Sequence, residues 1–402
     1  MTSQAPALPS EPAATTPAST PIMDWKVAAK IGGSMAAPGP VGEHAELRSL
    51  VDGLRSAAKE AVPHVIETAQ LSPASGDPDT LGDVFVVDRP GWITANAQVF
   101  AAMSSGLGEA LPQAVSENLE SMQMAASAEM GAILAIMSPR VLGQFDPYSA
   151  LLEGPGVSPV SADDPGSTAR LDTPPTDTQK RGRLLLVAPN MLSTERAMQV
   201  DPADYRLWVC LHEQTHALQF GSAPWLAPHM RERIGSLFSS TLEAASKRSE
   251  EPLHTRIVAG LKSVYQLLAG TFSKNGPAPF ERALSPEARA ELADLTAVMA
   301  LLEGHADVMM DAVGPAVVPS VAEIRRKFEV RRDSSRGMAQ LLQRLMGMDA
   351  KLAQYRDGAA FVRAVEARVG RSGFNAAFAS AENLPTASDI LCPADWITRV
   401  HG

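Results

Sequence analysis

Apolar positions recur at helical spacing along most of this chain, and two short runs break to strand-like continuity. Between Asp24 and Leu71, the residues Leu47, Leu50, Val51 and Leu54 fall three and four apart, as on one face of a helix. Pro112 to Met137 predicts a long helix: a proline near its first turn, a run rich in Ala and Met, then Ser138-Pro139 as a stop. Further helices are expected around 228–247, 252–272 and 286–313, and the segment 321–400 is also mainly helical. Ser285-Pro286-Glu287 opens the 286–313 helix and Gly314-Pro315 closes it. Val84–Val87 is a short apolar run before the turn signal Asp88-Arg89-Pro90-Gly91, and Arg183–Val187, before Pro189, reads as a strand. The pattern therefore predicts a mainly α fold with a small β component.

Two stretches carry no such pattern. Residues 1–22 are rich in Pro, Ala, Ser and Thr and lack the basic start and apolar core of a secretory signal, so they read as a disordered tail. Residues 153–182 contain Gly-Pro-Gly, Asp-Asp-Pro-Gly and Pro-Pro and read as a mobile surface loop within one domain, 23–400, of one or two lobes. The longest apolar stretch, Met122 to Met137, is interrupted by Glu129 and is too short to span a bilayer.

Composition narrows the function classes. The formal net charge of −10 argues against general binding of nucleic acid or anionic membranes. Two cysteines, Cys210 and Cys392, are too few for a disulfide framework and fit a reducing compartment, so a cytoplasmic location is expected.

The chemistry is concentrated in His212-Glu213-Gln214-Thr215-His216, an HExxH pentapeptide. Residues four apart share a helix face, so the two imidazoles can meet one zinc ion, with Glu213 beside it as a base for an activated water. Asp201 as N-cap, Pro202 at the first position and Asp204 in the first turn predict the helix start; Gly221 is expected to end it in the left-handed conformation. The flanks Leu207, Trp208, Val209, Leu211, Ala217, Leu218 and Phe220 are apolar, and polar groups in such a frame need partners or a purpose. Cys210 is expected in the core.

A catalytic zinc needs a third protein ligand and an open position. Leu302-Glu303-Gly304-His305-Ala306-Asp307 offers it. Glu303 and Asp307 share a helix face, so Glu303 can bind the ion while Asp307 accepts a hydrogen bond from the far nitrogen of a ligand histidine. His305, about 200° round the helix from Glu303, is a rival ligand, a cleft residue or a packed histidine. His229 is a weaker alternative. The metzincin pattern fails, because Gln219 and Ser222 stand where its Gly and third His belong.

Trp208 to Phe220, Pro224-Trp225 and Leu302 to Asp307 resemble a zincin-like family of proteins labelled zinc-dependent metalloproteases or hydrolases, some tagged as associated with deazaflavin-coenzyme biosynthesis. The likeness extends to Asp24-Trp25, Val87-Asp88-Arg89-Pro90-Gly91-Trp92, Ala188-Pro189-Asn190, Lys351 to Tyr355 and Leu384-Pro385-Thr386. It implies a zincin-like metallopeptidase fold built on the HExxH helix, a gluzincin-like ligand set and a Zn2+ hydrolase. It implies little about substrate, and all the metal-site positions of the family pattern are filled here.

The expected reaction is hydrolysis of an amide in a peptide or a small metabolite; the remaining alternative is an inert zinc-binding structural protein. Candidate oxyanion donors are His305, Tyr355 and an arginine among Arg325, Arg326, Arg331 and Arg332. The strand Arg183–Val187 is expected at a sheet edge near the cleft, where a peptide could pair with it.

Overall fold

The computed structural model describes residues 23–104, 119–149, 182–246, 285–331 and 358–402. The tail 1–22, residues 153–181 of the expected loop, the helix expected at 252–272, Arg332 and Tyr355 lie outside these residues. In chain order the elements are α1 (Trp25–Met35), α2 (His44–Ala69), β1 (Asp83–Val87), α3 (Arg89–Ser104), α4 (Leu119–Met137), β2 (Gly143–Asp146) and β3 (Arg183–Val187). They continue with α5 (Ala188–Met198), α6 (Pro202–Ser222), α7 (Leu226–Ser246) and α8 (Pro286–Ala312). The helix α9 covers 321–331, and α10 (Gly358–Phe374), α11 (Ala387–Leu391) and α12 (Pro393–His401) close the chain. The fold is mainly helical around one small sheet. Among the described residues no helix is long and apolar enough to cross a membrane.

The sheet has the order β1-β3-β2, with β1 parallel and β2 antiparallel to β3. This corrects the expectation for Arg183–Val187: β3 is the central strand and every residue of it is buried. A continuous run of Leu and Val suits a strand covered on both faces, whereas an edge strand facing water alternates. The edge beside the cleft is β2, and Gly-Gln-Phe-Asp carries too few apolar positions to be read as a strand. Two helices were also not foreseen. The turn signal at Asp88 is the start of α3, where the Asp88 carboxylate accepts from the Gly91 amide at 2.7 Å. Pro189 opens α5 rather than merely ending β3.

Helix α6 is the axis of the structure. Asp201 caps it, accepting from the amides of Ala203 and Asp204 at 2.9 and 3.0 Å, with Pro202 in the first turn. It runs through Gly221 to Ser222, so Gly221 does not terminate it; a side chain there would meet Leu81 at 2.9 Å, and absence of bulk rather than left-handedness is what the site requires. Three buried alanines of α2, Ala57, Ala58 and Ala61, let the two helices approach closely, and Gln214 donates to the Ala58 carbonyl at 2.9 Å. Cys210 is buried on that side, and both cysteines are free. On the opposite flank α8 packs against α6 and against α10. Gly304 and Gly358 meet there backbone to backbone, so a methyl group on either would collide with the other helix.

Candidate metal centre

Four polar side chains from α6 and α8 converge beneath β2. His212 and His216 project from one face of α6, with their Nε2 atoms 3.2 Å apart and their rings nearly perpendicular, at 85°. From α8, Glu303 places Oε2 3.5 Å from Nε2 of His212 and Oε1 3.6 Å from Nε2 of His216. The three residues are the one His/Cys/Asp/Glu group among the described residues able to hold a metal ion. A tetrahedral zinc at ~2.0–2.1 Å from each donor would set the donors about 3.3–3.4 Å apart. The observed separations, with one Glu303 oxygen toward each imidazole, come within a few tenths of an ångström of this, and two imidazoles plus one carboxylate is a catalytic-zinc donor set. The residues present therefore fit the ion.

Electrostatics set the site apart from ordinary polar contacts. Burial draws His212 toward neutrality, but the hydrogen bond it donates to Glu303 and the charges of Glu213 and Glu303 outweigh it and hold its pKa up at about 9. For His216 burial wins over the pull of Glu303, and its pKa falls. Burial also opposes the charge on Glu303, yet His216 and His212 together hold that carboxyl down at about 2. Glu213, only 7 % exposed, is raised by burial to about 7, against the attraction of His212 and with the repulsion of Glu303. Its carboxylate lies flat against β2: a Cβ on Gly143 would stand 2.6 Å from its Cγ and 2.9 Å from Oε1.

The cleft over these groups has a volume of about 490 Å3. Its walls are chiefly apolar, with Phe100, Phe145, Phe220, Met299, Met310 and Phe328 among them, and the whole of β2 lines it. A cavity of this size is typical of small-ligand sites.

Several expected roles are changed by the geometry. Asp307 lines the cleft, but no hydrogen bond joins it to either histidine among the described residues. Its Oδ1 instead accepts from Arg325 at 2.8 Å. The far nitrogen of His216 meets Gln219 Oε1 at 2.9 Å. His305 is neither a ligand nor a cleft residue. It is fully buried, packed between Phe374 and Phe378 with ring centroids at 5.1 and 5.4 Å and the rings tilted, with Nδ1 3.0 Å from Gln219 Nε2. Burial, then the charges of Arg371 and His216, push it down to about 3, so its ring is neutral. Arg325 is no free oxyanion donor: it pairs with both Asp307 and Asp311 at 2.8 Å and lies over the Trp208 ring at 5.1 Å. His229 packs against Trp225 and does not line the cleft.

Gln219 and Gly143 escaped the sequence reading for different reasons. Gln219 follows His216 by one helical turn, the spacing at which side chains meet, so its signal was present. Gly143 touches Glu213 from a strand seventy positions away, and nothing local announces that contact.

Comparison with known proteins places the chain in a family and shows a structural likeness. A family model described as zincin-like metallopeptidase matches residues 23–397. A solved structure from Chloroflexus aurantiacus, provisionally described as a hydrolase with a novel fold, is similar to 94% of this chain and 99% of its own. The TM-score is 0.56 and the identity 25%. Comparison with curated proteins gives no match.

Proposed function

The chain belongs to the zincin-like metallopeptidase family, and from that premise we propose that it is a zinc-dependent hydrolase that cleaves amide bonds, with peptides as substrates. His212, His216 and Glu303 are its metal ligands and Glu213 its general base. The observation that carries the reading is the convergence of two imidazole Nε2 atoms, 3.2 Å apart, on the Glu303 carboxylate, one oxygen 3.5 Å from His212 and the other 3.6 Å from His216, with a buried carboxylate next to them.

His212, His216 and Glu303 would hold the zinc, which when bound would supply Lewis-acid polarisation of a carbonyl and a water made acidic, toward a pKa of ~7. The protein's own groups do the rest. Glu213, with a pKa of about 7, is poised to accept a proton from the attacking water and to return it to the departing nitrogen. Gly143 leaves the space in which that carboxylate sits. The apolar walls exclude bulk water and strengthen each charge interaction inside. Beyond its ladder with β3, β2 has no further strand partner among the described residues, so an extended peptide can pair with its outer edge. The cleft volume suits a small amide equally well, which makes that the second reading. Both free cysteines and the net charge of −10 support a cytoplasmic enzyme with no nucleic-acid partner.

Purified protein screened on a peptide library, with Glu213→Gln as control, tests this. The expected result is peptide cleavage that falls about 10²–10⁴-fold in the variant while bound zinc is unchanged. Hydrolysis of small amides by wild type, with wild type and variant equally silent on every peptide, overturns the peptidase assignment in favour of the second reading.

A further inference from the structure

We propose that Gln219 and His305 are positioning residues, a two-member relay that fixes the tautomer of His216 and so sets the strength of the metal site. The inference rests on the ligand assignment above. Its starting point is the Leu302 carbonyl, which can only accept a hydrogen bond. Gln219 Nε2 lies 2.9 Å from that oxygen. This decides which end of the amide is nitrogen, and places Oε1 at 2.9 Å from Nδ1 of His216. A carbonyl oxygen cannot donate, so the imidazole proton is on Nδ1. The lone pair is then on Nε2, the atom facing His212 and Glu303.

The second N–H of the same amide points at His305 Nδ1, 3.0 Å away. That nitrogen is an acceptor, which leaves the His305 proton on Nε2. Nε2 is buried and has no hydrogen-bond partner among the described residues. A phenylalanine would fill the space between Phe374 and Phe378 without burying an unpaired N–H. The histidine therefore serves the one atom a phenyl ring lacks, the acceptor that holds the Gln219 amide in its plane. Leu302, Glu303 and His305 belong to one turn of α8, so the helix that supplies the third ligand also anchors the relay behind the second.

Two substitutions separate this role from packing. His305→Phe keeps the ring and removes the acceptor. His305→Asn keeps an acceptor oxygen near the Nδ1 position and removes the ring. In the full chain stripped of metal, zinc affinity is measured by competition with a chromophoric chelator, and Tm by calorimetry. The relay predicts that His305→Phe melts no lower than wild type yet binds zinc about 10-fold more weakly, with Gln219→Leu weaker by about 10–100-fold. It predicts that His305→Asn melts lower yet binds zinc close to the wild-type affinity. Zinc affinity that follows Tm across the set, or that is unchanged in His305→Phe, overturns the relay alone. A wild-type chain that takes up no zinc overturns the ligand assignment, and the relay with it.

Discussion

Two polar clusters share α8, one turn apart, and differ in how their charges are met. In the first, Asp307 and Asp311 flank Arg325, whose guanidinium lies over Trp208 while the Trp208 indole donates to Asp311 at 3.3 Å. Both carboxylates have a cation, and the cation has two carboxylates and an aromatic face. In the second, two imidazole nitrogens face each other at 3.2 Å, Glu303 bridges them, and Glu213 is buried beside them with its pKa lifted to about 7. Here like groups crowd one point, and a cation placed among them relieves the crowding. The first cluster is a clamp that holds α9 onto α8. The second is a group of side chains that could hold a metal ion, as the proposed function requires.

The largest effect expected from this contrast lies in the clamp. Arg325→Ala leaves Asp307 and Asp311 without their cation, and removing one partner of a mostly buried ion pair costs roughly 3 kcal/mol. Chemical denaturation should show that loss, while zinc stoichiometry stays as in wild type. Loss of zinc with full stability would instead make Arg325 part of the metal site.

In the second cluster, Glu213→Gln should stabilise the metal-free protein. The folded-state pKa of about 7 lies above the ordinary value of 4.5, so the native state holds this proton more tightly than the unfolded chain. Stability from this group is present below about pH 4.5 and is lost as pH rises through 7. The substitution should therefore add on the order of 2 kcal/mol at pH 8 and nothing at pH 4. Equal stability of the two proteins at both pH values would show that Glu213 is not strained by its burial.

A smaller effect sharpens the same comparison from the side of β2. In Gly143→Ala the new methyl group stands 2.6–2.9 Å from the Glu213 side chain, which must move. Turnover should fall about 10-fold with zinc retained, since a displacement of about 1 Å in a catalytic group can cost up to ~10²-fold. Unchanged turnover would place the working position of Glu213 elsewhere.

The sequence made the second cluster far more legible than the first. His212 and His216 share a face by local spacing with Glu213 one position on, and Glu303 stood out as a carboxylate sharing a helix face with Asp307. The small β component was visible in the run Arg183–Val187, but neither its other strands nor its order. That order depends on β2, whose four residues pair with a strand some forty positions away. The role given to Asp307 failed for a similar reason. Its partner Arg325 comes from α9, in a basic run that reads as a solvated face, and only the packing of Trp208 and Phe328 turns that face inward. Of the readings open for His305, the packed histidine is the one found, because neighbours from α10 and beyond, Phe374 and Phe378, enclose it. Local spacing reports what one helix presents; it does not report what arrives from elsewhere in the chain.

The most direct measurement is the zinc content of the purified chain by elemental analysis, alongside His212→Ala, His216→Ala and Glu303→Ala. The account predicts one zinc per chain in wild type, its loss in either histidine variant and weakened retention in Glu303→Ala. Full zinc retained in His216→Ala, or a wild-type chain that binds none, would contradict it.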